Sequence, residues 1–256
     1  MKKNVASQKK IKLLRIFKNI IEKILTFSLL FLFGVRNKIY GVIISEAFYL
    51  PWKDNTEFLK IYKKIKDYSM LDITRQFNIY LAVLNSLKIN GNVCEIGVWK
   101  GGTSFLIASI LKKRNSNKKI LAIDTFEGVI KATKRDLYYS GSEHTYKNKA
   151  FLENFKKKNK LNNLKIIKCK FPESFGPYKN NLKMISFSHI DVDTYKSLKE
   201  TFEFVWPRLV KGGMVIFDDY GFHQTSATRN FILYKSKLKN CTFISYTNGQ
   251  AAFIKK

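Results

Sequence analysis

Residues 92–102 read Asn-Val-Cys-Glu-Ile-Gly-Val-Trp-Lys-Gly-Gly, and no other stretch limits the fold of this chain as strongly. An apolar run with an acid near its end, followed by a glycine-rich turn, describes a strand that delivers the chain into a helix. Glycine lets backbone pass close to a ligand, and a helix opening at Thr103 and Ser104 presents unbonded N–H groups and a positive dipole end to a carboxylate or phosphate. In outline this is a nucleotide-type cofactor site. Glu95, Gly97, Gly101, Thr103 and Ser104 are its candidate residues.

The pattern around this turn alternates. Helical periodicity covers residues 55–68 and 73–87, then come a strand at 93–96, a helix at 103–113, a strand at 120–123 and a helix at 147–158. Strands at 165–169 and 185–190, a helix at 195–205 and a strand at 214–217 follow. That order predicts an α/β fold, a mostly parallel Rossmann-like sheet with helices on both faces. The end of the chain differs: a helix near 226–238 precedes runs at 242–246 and 250–254, and Asn248-Gly249 between them signals a tight hairpin. The sheet is therefore expected to close antiparallel, which resembles class I S-adenosylmethionine-dependent methyltransferases rather than dinucleotide-binding dehydrogenases.

In open α/β sheets ligands bind beyond the carboxyl ends of the strands, and acids recur there: Glu95, Asp124, Asp191, Asp193, Asp218 and Asp219. Asp124, with Thr125 beside it, is placed to accept hydrogen bonds from ribose hydroxyls; the alternative is a cap on the Asp-Thr-Phe-Glu-Gly turn. Asp191 and Asp193 fall on one strand end and Asp218-Asp219 on the next. Two unpaired anions about 4 Å apart repel by roughly 4 kcal/mol at an effective dielectric of 20, so a cation is expected among them. All-oxygen donors suit Mg²⁺. The alternative gives Asp193 to the cap of the helix at Tyr195 and Asp219 to a turn before Gly221.

Glu95–Gly102, Asp124–Gly128, His189–Ser197, Pro207–Gly213 and Asp218–Gly221, in that order, resemble the macrocin O-methyltransferase family, as does Gly249-Gln-Ala-Ala252 in the last hairpin. The resemblance implies an enzyme that uses S-adenosylmethionine and Mg²⁺ to methylate a sugar hydroxyl. By position it carries Glu95, Gly97 and Asp124 to the cofactor, Asp191, Asp218 and Asp219 to the metal, and makes Asp191 a candidate general base. Residues 11–35 and 131–146 depart from the family's pattern.

An alcohol is a poor nucleophile at neutral pH, so methyl transfer needs its proton removed and its oxygen held in line with the sulfonium methyl. Asp191 is the expected base and His223, on a polar loop past the Asp-Asp pair, its rival; His189 is expected to be buried on its strand. Residues 128–147 form a connection long enough for a lid or substrate loop, whose Tyr138, Tyr139 and His144 are suited to a sugar ring. The alternative is a surface loop whose aromatics pack locally. Residues 222–226 are expected to face it across the cleft.

The formal net charge of +28 invites a nucleic-acid reading, yet only 7 of 47 basic residues are Arg, and no Arg cluster or added RNA-binding module is present. No nucleic-acid partner is expected. Cys94, Cys169 and Cys241 are odd in number and lack CxxC spacing, which predicts reduced thiols in a cytoplasmic setting. Residues 1–50 read as a basic segment distinct from a methyltransferase domain at 51–256. Within it residues 11–27 are amphipathic, and the apolar run at 24–35 is too short to span a bilayer. No small-residue cleavage site follows before Arg36 and Lys38, which argues against a signal peptide. Two readings of residues 11–35 stand: a peripheral anchor on the inner face of the membrane, or a helix packed on protein, including a second subunit of a homo-oligomer. Two further function classes remain, a methyltransferase for a small phenol or catechol and a non-catalytic binding protein that kept the fold.

Overall fold

The computed structural model describes residues 2–32, 50–146 and 149–256, with side chains of the first helix from Leu13 onward. The expected apolar run beyond Leu32, and the first two residues of the helix expected at 147–158, lie outside the described residues. The chain divides into two compact units, Met1–Lys53 and Asp54–Lys256. The first contains helix α1 (Lys2–Leu32). No described helix is long and apolar enough to cross a membrane.

The second unit opens with α2 (Thr56–Ile65), continued by a 3-10 turn at Lys66–Tyr68, and α3 (Ile73–Ser86). Both helices start where a side chain satisfies the free amides: Asn55 accepts from Phe58 N at 2.9 Å, and Asp72 from Thr74 N and Arg75 N at 2.8 and 3.1 Å. Such a cap contributes about 1 kcal/mol. The sheet then begins with β1 (Asn92–Ile96), α4 (Gly102–Lys113), β2 (Ile120–Asp124), α5 (Lys149–Lys158) and β3 (Leu164–Lys168). After a 3-10 segment at Gly176–Leu182 come β4 (Ile185–Ile190), α6 (Tyr195–Arg208), β5 (Leu209–Phe217), α7 (Ser226–Lys235), β6 (Cys241–Ser245) and β7 (Ala251–Lys255).

The seven strands run in the order β3-β2-β1-β4-β5-β7-β6. The first five are parallel, and β7 inserts antiparallel between β5 and β6. Strand β4 is buried throughout and β1 from Val93 onward, so both faces of the sheet are covered there and the polar Glu95, Ser186, Ser188 and His189 are carried into the interior with their apolar neighbours. Phe217, Phe253 and the face of α6 carrying Phe202 and Trp206 form one aromatic core over this half of the sheet. Each such ring buried contributes about 1.5–3 kcal/mol.

One boundary moved for a physical reason. The helix expected to end at residue 205 runs on to Arg208, through Pro207. Proline lacks an N–H, but the last turn tolerates it, because Leu209 N closes the helix onto Val205 O and Trp206 O. The strand starts at once: Ile185 pairs with Leu209 and Phe187 with Met214, so residues 210–213 bulge out of the ladder. Gly212 adopts φ +77° in that bulge.

Candidate active site

Strand order reverses between β1 and β4, whose successors β2 and β5 lie on opposite sides, and this is where an open α/β sheet leaves a crevice at its carboxyl edge. The described domain has a cavity there. Its lining includes Gly97 and Trp99 after β1, Asp124 at the end of β2, and Asp191 and Asp193 after β4.

Five of the residues expected at a cofactor line this cavity: Glu95, Gly97, Thr103, Asp124 and Thr125. Gly101 and Ser104 act beside it. Gly101, at φ +86°, turns the chain into α4, and the Ser104 hydroxyl donates to Glu95. Asp124 clamps the glycine turn: Oδ2 accepts from Val98 N at 2.6 Å and Trp99 N at 2.9 Å, while Oδ1 accepts from Phe126 N at 2.7 Å. The turn-capping role weighed for it from sequence is thus realised. A carboxylate has about four lone-pair sites, so a position remains for a ligand hydroxyl in the cavity that Asp124 lines.

At the other end Asp191, Asp193 and Asp219 each bring an oxygen within 4.8 Å of the others, and His189, Asp191 and Asp218 form a second such group sharing Asp191. Asp193 does not cap α6. It sits at φ +61° and accepts the Tyr139 hydroxyl at 2.7 Å, while Asp136 takes the Tyr195 amide at 2.8 Å. Asp219 Oδ2 accepts Val192 N and Asp193 N at 3.1 and 2.8 Å.

The acids divide electrostatically. Burial, then the charges of Asp218, Asp219 and Asp193, hold the Asp191 carboxyl well above its ordinary range, and burial with Asp193 and Asp218 does the same to Asp219. Asp218 goes the other way. Burial disfavours its charge, but the His189 imidazole 3.6 Å away, the nearby Arg75 guanidinium and the hydrogen bond from Gln250 Nε2 at 2.8 Å outweigh it. His189 is completely buried, as expected, with Nδ1 3.1 Å from Glu95 Oε1 and Nε2 3.6 Å from Asp218 Oδ1. Burial alone would lower its pKa; the hydrogen bond to Glu95 and the charges of Glu95 and Asp218 push it up to about 10, which favours the imidazolium.

His223, the rival base, packs edge-on against Tyr138 at 5.2 Å, and burial lowers its pKa. The cavity lining includes Asp191 and His144 but not His223. The segment from Gly128 to Tyr146 is a folded strap. Thr194 and Ser197 hydroxyls bond Ile130 O at 3.0 and 3.1 Å, Lys131 pairs with Glu173 and Glu200, and Tyr139 reaches Asp193. His144 lines the cavity with its ring 6.2 Å from that of Tyr139.

Sequence reading missed Arg75 and Gln250. Arg75 bridges Asp72 and Asp218 and lies 5.1 Å over the Phe222 ring. Its signal was its rarity as one of 7 Arg in a lysine-dominated chain; that of Gln250 was its place directly after the hairpin's Asn-Gly.

A parallel sheet ending in a reversed hairpin, with a cavity lined by a glycine turn after β1, an acid at the end of β2 and two acids after β4, defines a Rossmann-like class I methyltransferase. Residues 66–248 match the Macrocin-O-methyltransferase (TylF) family, and the chain belongs to it. It is 27% identical over 168 residues to the 8-demethyl-8-(2,3-dimethoxy-alpha-L-rhamnosyl)-tetracenomycin-C 4'-O-methyltransferase of Streptomyces olivaceus, a match spanning 60% of this chain and 62% of that protein. It is 24% identical over 206 residues to the mycinamicin III 3''-O-methyltransferase of Micromonospora griseorubida, covering 74% and 78%. The fold is similar to that of the O-methyltransferase NovP, at TM-score 0.62 and 20% identity over 74% of this chain and 82% of that one.

Proposed function

We propose that this protein is a Mg²⁺-dependent O-methyltransferase that moves a methyl group from S-adenosylmethionine to a sugar hydroxyl. Its acceptor belongs to a surface polysaccharide or other glycoconjugate made on the cytoplasmic side, with residues 11–35 in peripheral contact with the membrane. The observation that supports the activity is one cavity bordered by Thr103 and Asp124 at one end and by Asp191 and Asp193 at the other. The two relatives are both named as O-methyltransferases, one of them acting on a rhamnosyl-tetracenomycin, and this supports the acceptor class.

The residues fit a hard divalent cation. Arg75 and protonated His189 offset two of the five carboxylates Glu95, Asp191, Asp193, Asp218 and Asp219, while the donors on Asp193 and Asp219 are neutral, a Tyr139 hydroxyl and two backbone amides. The buried His189 Nε2 has no hydrogen-bond partner among the described residues and faces Asp218. Asp191, Asp218 and Asp219 would hold the ion, with Asp193 alongside. When bound, such an ion supplies Lewis acidity that lowers the pKa of an acceptor hydroxyl and fixes its position. S-adenosylmethionine supplies an electrophilic methyl.

Asp191 takes the hydroxyl proton. It lines the cavity, where an acceptor hydroxyl would lie, while His223 does not. Asp124 and Thr103 orient the cofactor end. The strap pinned by Tyr139 and Asp136 limits water over the acids.

Purified protein, labelled S-adenosylmethionine and fractionated lysate from the source cell test the proposal. Label is expected in a saccharide fraction and only in the absence of a chelator. Label in a phenolic fraction would replace the acceptor class, and cofactor binding without transfer to any fraction would overturn the activity.

A further inference from the structure

We infer that α1 docks along an anionic lipid surface, with the face carrying Leu13, Phe17, Ile20, Ile24, Phe27 and Phe31 sunk into the boundary between headgroups and acyl chains. These residues are spaced 4, 3, 4, 3 and 4 apart, so they share one side of the helix. That side is turned outward: Leu13 is 68% exposed, Phe27 75% and Phe31 78%. Leu14 and Ile16, also exposed, widen it, while Arg15, Lys18, Asn19 and Glu22 fall on the opposite side, where Lys18 and Glu22 pair at 3.6 Å.

The spacing alone would also suit a coiled coil with a second copy of the chain, and charge decides between the two occupants. Residues 2–32 contain eight Lys or Arg against the single acid Glu22. Two such helices side by side would bring sixteen cationic side chains together with two carboxylates, twice the composition of one. Of the residues flanking the seam, Leu14, Ile16, Ile21 and Leu30 are apolar and Lys23 alone is charged, so the complementary charges that select a partner helix are missing from α1. A broad apolar face backed by lysines is the composition of a helix lying in a membrane interface, where anionic headgroups complement the basic side. The basic residues end at Lys23 while the apolar ones continue to Leu32, so the carboxyl-terminal third of α1 sits deeper than the rest.

This deepens the function proposed above and, for the acceptor alone, rests on it: a catalytic domain held at a lipid surface works on a saccharide presented there, which means one linked to a lipid carrier. The full chain should float with vesicles of phosphatidylcholine containing roughly a third phosphatidylglycerol, with at least about tenfold higher partitioning than with phosphatidylcholine alone, and high salt should release it. The double variant Phe17→Asp, Phe27→Asp should lose about tenfold or more of that partitioning yet methylate a soluble sugar acceptor at the parental rate, which shows that the domain is folded. Equal flotation of parent and variant, or no preference for the anionic vesicles, would overturn the inference. So would a parent that stays in solution as a dimer which the double variant dissociates. Flotation as expected without methyl transfer to any saccharide would leave the docking intact and remove the proposed activity.

Discussion

Gly97 lies so close to the backbone of Asp191 that a Cβ on residue 97 would stand 1.6 Å from the Asp191 carbonyl oxygen. The glycine adopts φ +87°, and the ladder continues past the strand ends at this point, with Asp191 N bonded to Ile96 O at 2.9 Å. The turn after β1 and the acid after β4 are therefore locked together through main chain. The glycine is needed less for approach to a ligand than for approach of one strand end to the next. Gly97→Ala must push these ends apart, and we expect a loss of more than about 2 kcal/mol in stability with S-adenosylhomocysteine binding lost as well. Thermal melting and calorimetric titration check this; an alanine variant that melts and binds as the parent does would show that the two ends are not coupled.

Asp124 holds three backbone amides, so its removal acts on the site even before a ligand arrives. Asp124→Ala leaves the N–H groups of Val98, Trp99 and Phe126 without their acceptor, at a cost of about 1–3 kcal/mol, and should weaken S-adenosylmethionine binding at least about tenfold. Asp124→Asn keeps one acceptor oxygen and should fall between. Calorimetry that finds parental affinity in Asp124→Ala would remove this residue from the cofactor site.

Asp219 differs from Asp218 in having no cationic side chain among its hydrogen-bond donors: Arg75 contacts Asp218, whereas amides contact Asp219. Asp219→Asn should therefore lower turnover about a hundredfold or more while leaving cofactor affinity within a few-fold, because the change falls among the acids grouped with Asp191 and Asp193 rather than at the glycine turn that Asp124 holds. Asp218→Asn should lower turnover likewise and also destabilise the domain, since Arg75 and His189 lose a buried anion. Steady-state rates with and without chelator read the first effect; rates that chelation leaves unchanged would reject a metal role for both.

The order of strands, the reversed hairpin and the acids on the carboxyl edge were legible because each rests on a local signal: runs of apolar residues, Asn248-Gly249, and an acid at a strand end. The partition of those acids was not. Which carboxylate is neutralised depends on Arg75, 143 positions away from Asp218, and on Gln250, 32 positions away, and no periodicity reports such a pairing. The strap was hidden for the same reason. Its order comes from Asp136 on α6 and from Tyr139 on Asp193, contacts of long sequence separation in a stretch with neither helical nor strand pattern. Pro207 misled in the opposite direction, since a true local preference was absorbed in the last turn of a helix already fixed by Phe202 and Trp206 in the core.

Glu143 ties the strap to itself and makes its closure sensitive to acid. Its carboxylate accepts from Ser140 N and the Ser140 hydroxyl at 2.7 and 2.8 Å and from Gly141 N at 2.9 Å. Slight burial acts to raise its pKa, but these bonds to the charged form prevail and bring it down from 4.5 to about 2. A depressed carboxyl contributes stability that is present in full above the unfolded value, 4.5, and disappears as pH falls through about 2. The Ser140 and Gly141 amides should therefore keep their protection against hydrogen exchange at neutral pH and lose it across that acidic window, ahead of amides in β1 and β4. Glu143→Gln removes the charge without shortening the side chain; it should give weak protection at every pH and raise the KM for the acceptor more than it lowers kcat. Protection in the parent that persists to the point of global unfolding would show that the strap is held by Tyr139 and Asp136 alone, with Glu143 as a bystander.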